Sequence, residues 1–237
     1  ENPSGDQGEL RLDADAYPLD DSYKLWLGAL PPLKLLAVVP FRREESKETE
    51  LFFLRKAFSI ESGSASRGFT LEEVEADFFY TLDPGSMDGI LLLGAAGYFN
   101  APGFELLKRY LEDGGLVLCT PGRSAGHQFL GLRRHGLLSA EYRGLAGSAQ
   151  DDRAAAAVGW LNPKSSLADV FANPEETDLF LFPIHKHVRL RTLSSDAVVL
   201  LKTDDGDPVL VQQDTGGGRL YAMTTAFVPD WSDLPVT

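Results

Sequence analysis

The chain has 237 residues, 43% of them apolar and 10% aromatic, enough to bury the core of one large domain or two small ones. Its 22 basic and 35 acidic residues leave a net charge of −13, which repels phosphate backbones and anionic lipid surfaces and argues against nucleic acid as a partner. One cysteine excludes an internal disulfide without fixing a redox compartment.

The chain opens Glu1-Asn2-Pro3 with no basic stretch followed by an apolar one, so no signal peptide is expected. The longest apolar runs, Leu33 to Pro40 and Gly89 to Ala96, are too short to span a bilayer, and the chain reads as a soluble piece of a longer protein. Residues 1–32 are rich in Asp, Gly and Pro and end in Pro31-Pro32, which forces extended backbone; they are expected to form a leader packing on a domain of residues 33–237. Leu33 to Pro40 is a nearly continuous apolar run, the pattern of a central parallel strand covered on both faces. Ser46 to Ser59 sets Leu51, Leu54 and Phe58 at helical spacing behind several acids, predicting the first crossover helix.

Phe69 to Phe79 alternates weakly and is acidic, so a strand and a short helix are both open, with an edge element favoured. Gly89 to Gly94 predicts a second buried strand. In Asn100-Ala-Pro-Gly103, Asn100 is placed to cap a helix and Pro102 suits its first turn. That helix carries Phe104, Leu107 and Leu111 on one face and ends at Gly114-Gly115. Leu116 to Thr120 is a third strand, opening a Pro121-Gly122 turn. Repeated strand-helix-strand units predict a parallel, doubly wound sheet. Farther on, Ser165 to Ala172 reads as one or two helical turns. Alternating runs around Val188–Leu193, Ala197–Thr203, Pro208–Gln213 and Arg219–Thr225 follow, the last three separated by Asp205-Gly206 and Gly216-Gly217-Gly218. This is hairpin chemistry, and it predicts an antiparallel extension in the carboxyl-terminal third.

The closing segment from Gly216 to Pro235 joins a glycine turn, a strand and a Trp231-Ser-Asp-Leu-Pro235 loop in fixed order. It resembles the end of the class I glutamine amidotransferase-like (GATase1-like) domain of bacterial BatA, or aerotolerance-regulator, proteins, which often carry a von Willebrand A (VWA) domain. The leader with Asp13 to Asp21 before Pro31-Pro32 and the core strands fit the same family. The resemblance implies a three-layer, flavodoxin-like or GATase1-like parallel sheet. It also implies a protein anchored in the inner membrane by two amino-terminal helices outside this sequence, with this domain on the periplasmic side. The implied partners are other domains of the same chain and companion Bat or VWA proteins.

In open parallel sheets ligands sit at the carboxyl ends of the strands, here Pro40 to Arg43, Gly94 to Asn100 and Cys119 to His127. Cys119 stands where amidotransferases carry a nucleophile, but the sharp Gly-x-Cys-x-Gly elbow is missing and Pro121 follows two residues later. Gly126-His127-Gln128 lies eight residues after Cys119 rather than three and is given no role, and His185-Lys186-His187 offers no glutamate. No Cys-His-Glu triad assembles, so Cys119 is expected to be a core residue. His185 and His187 lack a third metal ligand, and Asp204-Asp-Gly-Asp207 lacks the oxygens of a calcium loop; no metal or cofactor is expected. Arg42, Arg43, Arg123, Ser124 and His127 remain as a candidate anion-binding set beside a helix amino terminus. Trp231 is expected to anchor the closing loop against the sheet. The leading expectation is a non-catalytic interaction or ligand-sensing domain. The alternatives are a Cys119-dependent amidase or hydrolase, and a small-anion-binding domain.

Overall fold

The computed structural model describes residues 6–11, 22–27, 31–41, 49–59, 68–148, 155–171 and 179–233. Within the leader, β1 (Asp6–Arg11) and β2 (Ser22–Leu27) pair antiparallel, with Asp6 opposite Leu27 and Arg11 opposite Ser22. The apolar run after Pro32 is β3 (Leu33–Val39), and the first crossover helix is α1 (Glu50–Ser59); residues 42–48 lie outside the described residues. The ambiguous acidic stretch resolves into both readings in succession. β4 (Phe69–Glu75) is an edge strand parallel to β3, and α2 (Ala76–Phe79) is a single turn that buries Ala76 and Phe79.

β5 (Gly89–Leu93) is buried along its whole length, as its unbroken apolar sequence requires of a strand covered on both faces. α3 (Ala101–Glu112) begins where expected: Asn100 Oδ1 accepts the Gly103 amide at 2.9 Å, and Pro102 occupies the first turn. Its apolar face buries Phe104, Leu107 and Leu111, and Gly114, at φ +98°, turns the chain into β6 (Leu116–Thr120). α4 (Ala125–Arg134) follows, then β7 (Ala140–Gly147), β8 (Val158–Leu161), α5 (Ser166–Val170), β9 (Lys186–Thr192), β10 (Ala197–Thr203), β11 (Pro208–Thr215) and β12 (Gly218–Met223).

The main sheet runs in the order β4-β3-β5-β6-β12-β11-β10-β8. Its first five strands are mutually parallel and the remaining three are antiparallel. The fold is therefore mixed α/β, a large and mostly parallel sheet carrying antiparallel strands. The antiparallel extension needs one correction: β12 is antiparallel to β11 but parallel to β6, so the last strand inserts into the parallel sheet and joins the two halves. β9 leaves the sheet altogether and forms a two-stranded ribbon with β7. At the β11–β12 turn, Gly216 has φ +60°, and a Cβ there would lie 2.6 Å from Glu112 Cα, so only glycine lets this turn rest on the end of α3.

Alternation along the parallel strands sends side chains to two faces. Leu36, Val38, Ile90, Leu92, Val117 and Cys119 enter the larger core with residues of α3, α4 and the β7/β9 ribbon. Ala37, Val39, Leu91 and Leu93 pack with Leu51, Leu54 and Phe58 of α1 on the other face. A third cluster, Ala156, Val158, Ile184, Leu201 and Val209, fills the antiparallel end. Trp231 is buried in the larger core, the anchoring role expected of it.

Candidate functional site

At the carboxyl ends of β3, β5, β6 and β12 a polar cluster closes over the core. Glu50, the first residue of α1, accepts the Thr120 hydroxyl at 2.8 Å through Oε2 and the Phe227 amide at 2.8 Å through Oε1. One carboxyl group thus ties the first crossover helix to β6 and to the segment after β12, 177 residues on. Glu50 keeps part of its surface in water, but its carboxyl group is enclosed, and this burial pushes its pKa up to about 7. The hydrogen bonds from Phe227 and Thr120 pull the other way without cancelling it. The Thr120 hydroxyl also lies 3.4 Å from the Leu92 carbonyl. When Glu50 takes up a proton, its hydroxyl can donate to Thr120 Oγ1, whose own proton then turns to that carbonyl, so both charge states of the clamp find partners.

Cys119 lies beside this clamp with no exposed surface. Gln128, also fully buried, donates through Nε2 to the Cys119 Sγ at 3.0 Å and to the Thr120 carbonyl at 2.8 Å. Its Oε1 has no partner among the described residues. Burial first, then the charge of Glu50, pushes the Cys119 thiol up to about 12 against the modest opposing pull of Gln128. A thiol held this far above neutral pH stays protonated, whereas the nucleophile of such chemistry is the thiolate.

Of the candidate anion-binding set, Arg42 and Arg43 lie outside the described residues. Arg123, in the turn before α4, and His127, in its first turn, are exposed, while Ser124 packs against the turn at Ala96–Tyr98. A Cβ at Gly97 would come within 2.7 Å of Ser124 Cβ, and one at Gly94, which has φ +65°, within 2.9 Å of Gly122 Cα. The two loops that would flank a ligand in such a sheet are in backbone contact with each other.

His185, just before β9, and His187, within it, each take a separate carboxylate: His185 Nε2 lies 2.8 Å from Asp233 Oδ1, and His187 Nε2 lies 3.0 Å from Asp207 Oδ2. His187 is buried and paired with Asp207 of the β10–β11 turn, although it alternates with the core-facing Val188 and Leu190. Between them Lys186 Nζ sits 4.6 Å from the centre of the Trp231 ring. The contacts of His185 and Lys186 fasten the closing segment to the start of β9, and that of His187 ties β9 to the β10–β11 turn. No group of three or more His, Cys, Asp or Glu is placed to hold a metal among the described residues. Asp204 to Asp207 forms the β10–β11 turn, with Gly206 at φ +91°. Two clefts lie elsewhere. One of about 610 Å³ is lined by Ala155, Ala156, Pro183, His185 and Asp233; one of about 570 Å³, at the amino ends of β5 and β6, is lined by Asp83, Asp88, Arg109, Tyr110 and Asp113.

Sequence reading missed Glu50, Thr120 and Gln128. Helical spacing did carry one signal: Glu50 stands on the stripe of Leu54 and Phe58, an acid where α1 turns inward.

No protein-family model matches this sequence, and no curated protein does. Solved structures do match in shape. The cytoplasmic protein STM1381 of Salmonella typhimurium LT2 aligns with a TM-score of 0.60 at 12% identity over 84% of this chain and 90% of its own. The cytoplasmic protein STM3548 of Salmonella typhimurium aligns with a TM-score of 0.56 at 15% identity over 84% and 89%. The exo-β-1,4-mannosidase Op5Man5 of Opitutaceae bacterium strain TAV5 aligns with a TM-score of 0.51 at 15% identity, over 85% of this chain but only 32% of its own. At these identities the likeness is one of fold. These findings overturn the amidotransferase-like and BatA assignment, whose closing motif carries too little information to stand without a family match. The periplasmic, membrane-anchored address rested on that assignment and falls with it; the two Salmonella proteins of like fold are cytoplasmic proteins. No helix among the described residues is long and apolar enough to cross a membrane.

Proposed function

We propose that this chain is a non-catalytic interaction or ligand-sensing module on a three-layer, flavodoxin-like scaffold, working against another polypeptide or another domain of its own protein. One observation carries the reading. The single thiol at the carboxyl ends of the strands is sealed in the core, pushed up to about 12 and held by Gln128. The neighbouring carboxyl group of Glu50 is committed to Thr120 and Phe227. The groups best placed for chemistry are thus engaged in holding the fold. A fold that makes up most of the two Salmonella chains yet about a third of a glycosidase suits a module that is used alone or appended to other machinery.

The test is the rate of Cys119 alkylation by iodoacetamide across pH in the native chain and in urea. The module reading expects no reaction until the protein unfolds. Fast native alkylation with an apparent pKa below about 8.5, the free-cysteine value, would overturn it in favour of a Cys119-dependent amidase or hydrolase.

A further inference from the structure

Although the chain carries a net charge of −13, one face concentrates arginine. On the outward side of the β7/β9 ribbon, Glu141 stands opposite Arg191 in the antiparallel register, and Arg143 and Arg189 lie on the same side. Their neighbours Tyr142, Val188 and Leu190 point the other way, into the core. Arg191 Nη2 lies 2.6 Å and Arg143 Nη2 2.9 Å from the same oxygen, Oε2 of Glu141. Arg133, in the last turn of α4, adds its charge to that carboxylate. Partial desolvation of Glu141 works against ionisation, but the hydrogen bond from Arg191 and the charges of Arg143, Arg191 and Arg133 outweigh it and hold its carboxyl below the usual range. Arg189 Nε reaches Asp207 Oδ2 at 3.2 Å.

The ribbon therefore holds its guanidiniums in place while sparing most of their donors. A guanidinium has five N–H groups, and one carboxylate oxygen engages a single nitrogen on each of two arginines. The side chains of Arg143, Arg189 and Arg191 remain 48%, 58% and 60% exposed. Arginines fixed by a local carboxylate have lost much of their rotamer freedom before any partner arrives, which lowers the entropic cost of binding. Arginine clusters of this kind recognise acidic segments through charge-assisted, forked hydrogen bonds.

We propose that the outer face of the β7/β9 ribbon, with the end of α4, docks an Asp- and Glu-rich segment of a partner polypeptide. This rests on the interaction-module reading and names the partner's chemistry. Charge complementarity selects that occupant. A short acidic segment lying along the ribbon feels the charges within about one Debye length, roughly 8–10 Å. A long nucleic acid or an anionic membrane must also approach the acidic remainder of the surface, which repels it.

The experiment is fluorescence anisotropy of a labelled Asp/Glu-rich peptide titrated with the full chain at low and at physiological salt. The variants are Arg143→Gln with Arg191→Gln together, and Arg219→Gln as a control on an exposed arginine paired with Asp214 away from the ribbon. Unfolding curves first establish that each variant is folded, and Arg191→Lys retains the charge while removing the fork. The peptide is expected to bind in a salt-dependent way. The double variant should weaken it roughly tenfold or more, Arg191→Lys less, and Arg219→Gln less than about twofold, in the range of charge pairs at interfaces. Four results would overturn the proposal: no binding at low salt, equal losses in the double variant and the control, tighter binding of duplex DNA or phosphatidylserine vesicles than of the peptide, or self-association that the double variant abolishes. These outcomes are separate from the thiol assay. An unreactive Cys119 with no peptide binding removes this surface and leaves the module reading in place; a reactive native thiol removes the module reading whatever the peptide does.

Discussion

Replacing Glu50 by Gln keeps the length of the side chain and an acceptor for the Phe227 amide while removing the charge. In the unfolded chain the carboxyl ionises near 4.5; in the fold, burial pushes it up to about 7. Between those values the folded state holds a proton that the unfolded state has released, so this group's contribution is complete below 4.5 and is lost as pH rises to about 7. One tenfold step in proton affinity is 1.36 kcal/mol, which sets an upper bound of about 3 kcal/mol on the loss above pH 7. Because Glu50 keeps some contact with solvent, roughly half of that bound is the working figure. Urea unfolding of wild type and Glu50→Gln at pH 5, 6, 7 and 8 is the assay, and taking the difference cancels carboxyls and histidines common to both. Glu50→Gln should gain about 1–2 kcal/mol on wild type between pH 5 and pH 8. A difference that stays constant across this range, or that favours wild type as pH rises, would mean that the carboxylate is solvated and that no buried clamp forms.

Three further outcomes follow from the same packing. Gly94→Ala should cost about 2 kcal/mol or more in urea unfolding, because its φ of +65° is unfavourable for a side chain and the new methyl meets Gly122 Cα at 2.9 Å. Trp231→Ala removes a ring buried to 8% exposure and the surface under Lys186; a loss of about 3–5 kcal/mol is expected by the same measurement, and a loss under 1 kcal/mol would show that the closing segment is not anchored there. Cys119→Ser puts a hydroxyl where Gln128 meets a thiol and should cost about 1–2 kcal/mol while leaving any binding of acidic peptide unchanged; binding that tracks Cys119 would tie the buried cluster to the ligand.

Elements whose causes are local could be read from the sequence. β3, β5 and β6 are nearly continuous apolar runs because strands covered on both faces have little polar side, and α3 carries its own start at Asn100 and Pro102 and its own stop at Gly114. β7 gave no such signal. Its Ala-Glu-Tyr-Arg-Gly-Leu-Ala-Gly sequence is rich in small residues, its register slips between Tyr142 and Leu145 around Gly144 at φ +111°, and its partner is β9, far along the chain. The alternation of β12 was plain, but strand pairing is non-local, and nothing in Gly218 to Met223 distinguishes a parallel neighbour on one side from an antiparallel one on the other. The candidate site divides in the same way. The inward acid of α1 was visible at helical spacing, whereas its partner amide at Phe227 belongs to tertiary structure. The closing motif misled for a related reason: a glycine turn, a strand and an anchoring tryptophan describe how a last strand docks, and that need is common to many sheets.

The carboxyl ends of a parallel sheet are open to ligands because each strand gives way to a loop, and neighbouring loops diverge where strand order reverses. In this chain the loops after β5 and β6 converge at Gly94 and Gly122 and again at Gly97 and Ser124, and Glu50 bridges from α1 to the segment after β12. A ligand placed among them would have to push these backbones apart and break both hydrogen bonds to a buried carboxyl group, a cost that polar contacts worth about 1 kcal/mol each do not recover. Recognition is better sought where side chains retain unused donors and backbone need not move. The arginines of the β7/β9 ribbon meet both conditions, since Glu141 orients Arg143 and Arg191 through one nitrogen each and leaves about half of each side chain in solvent.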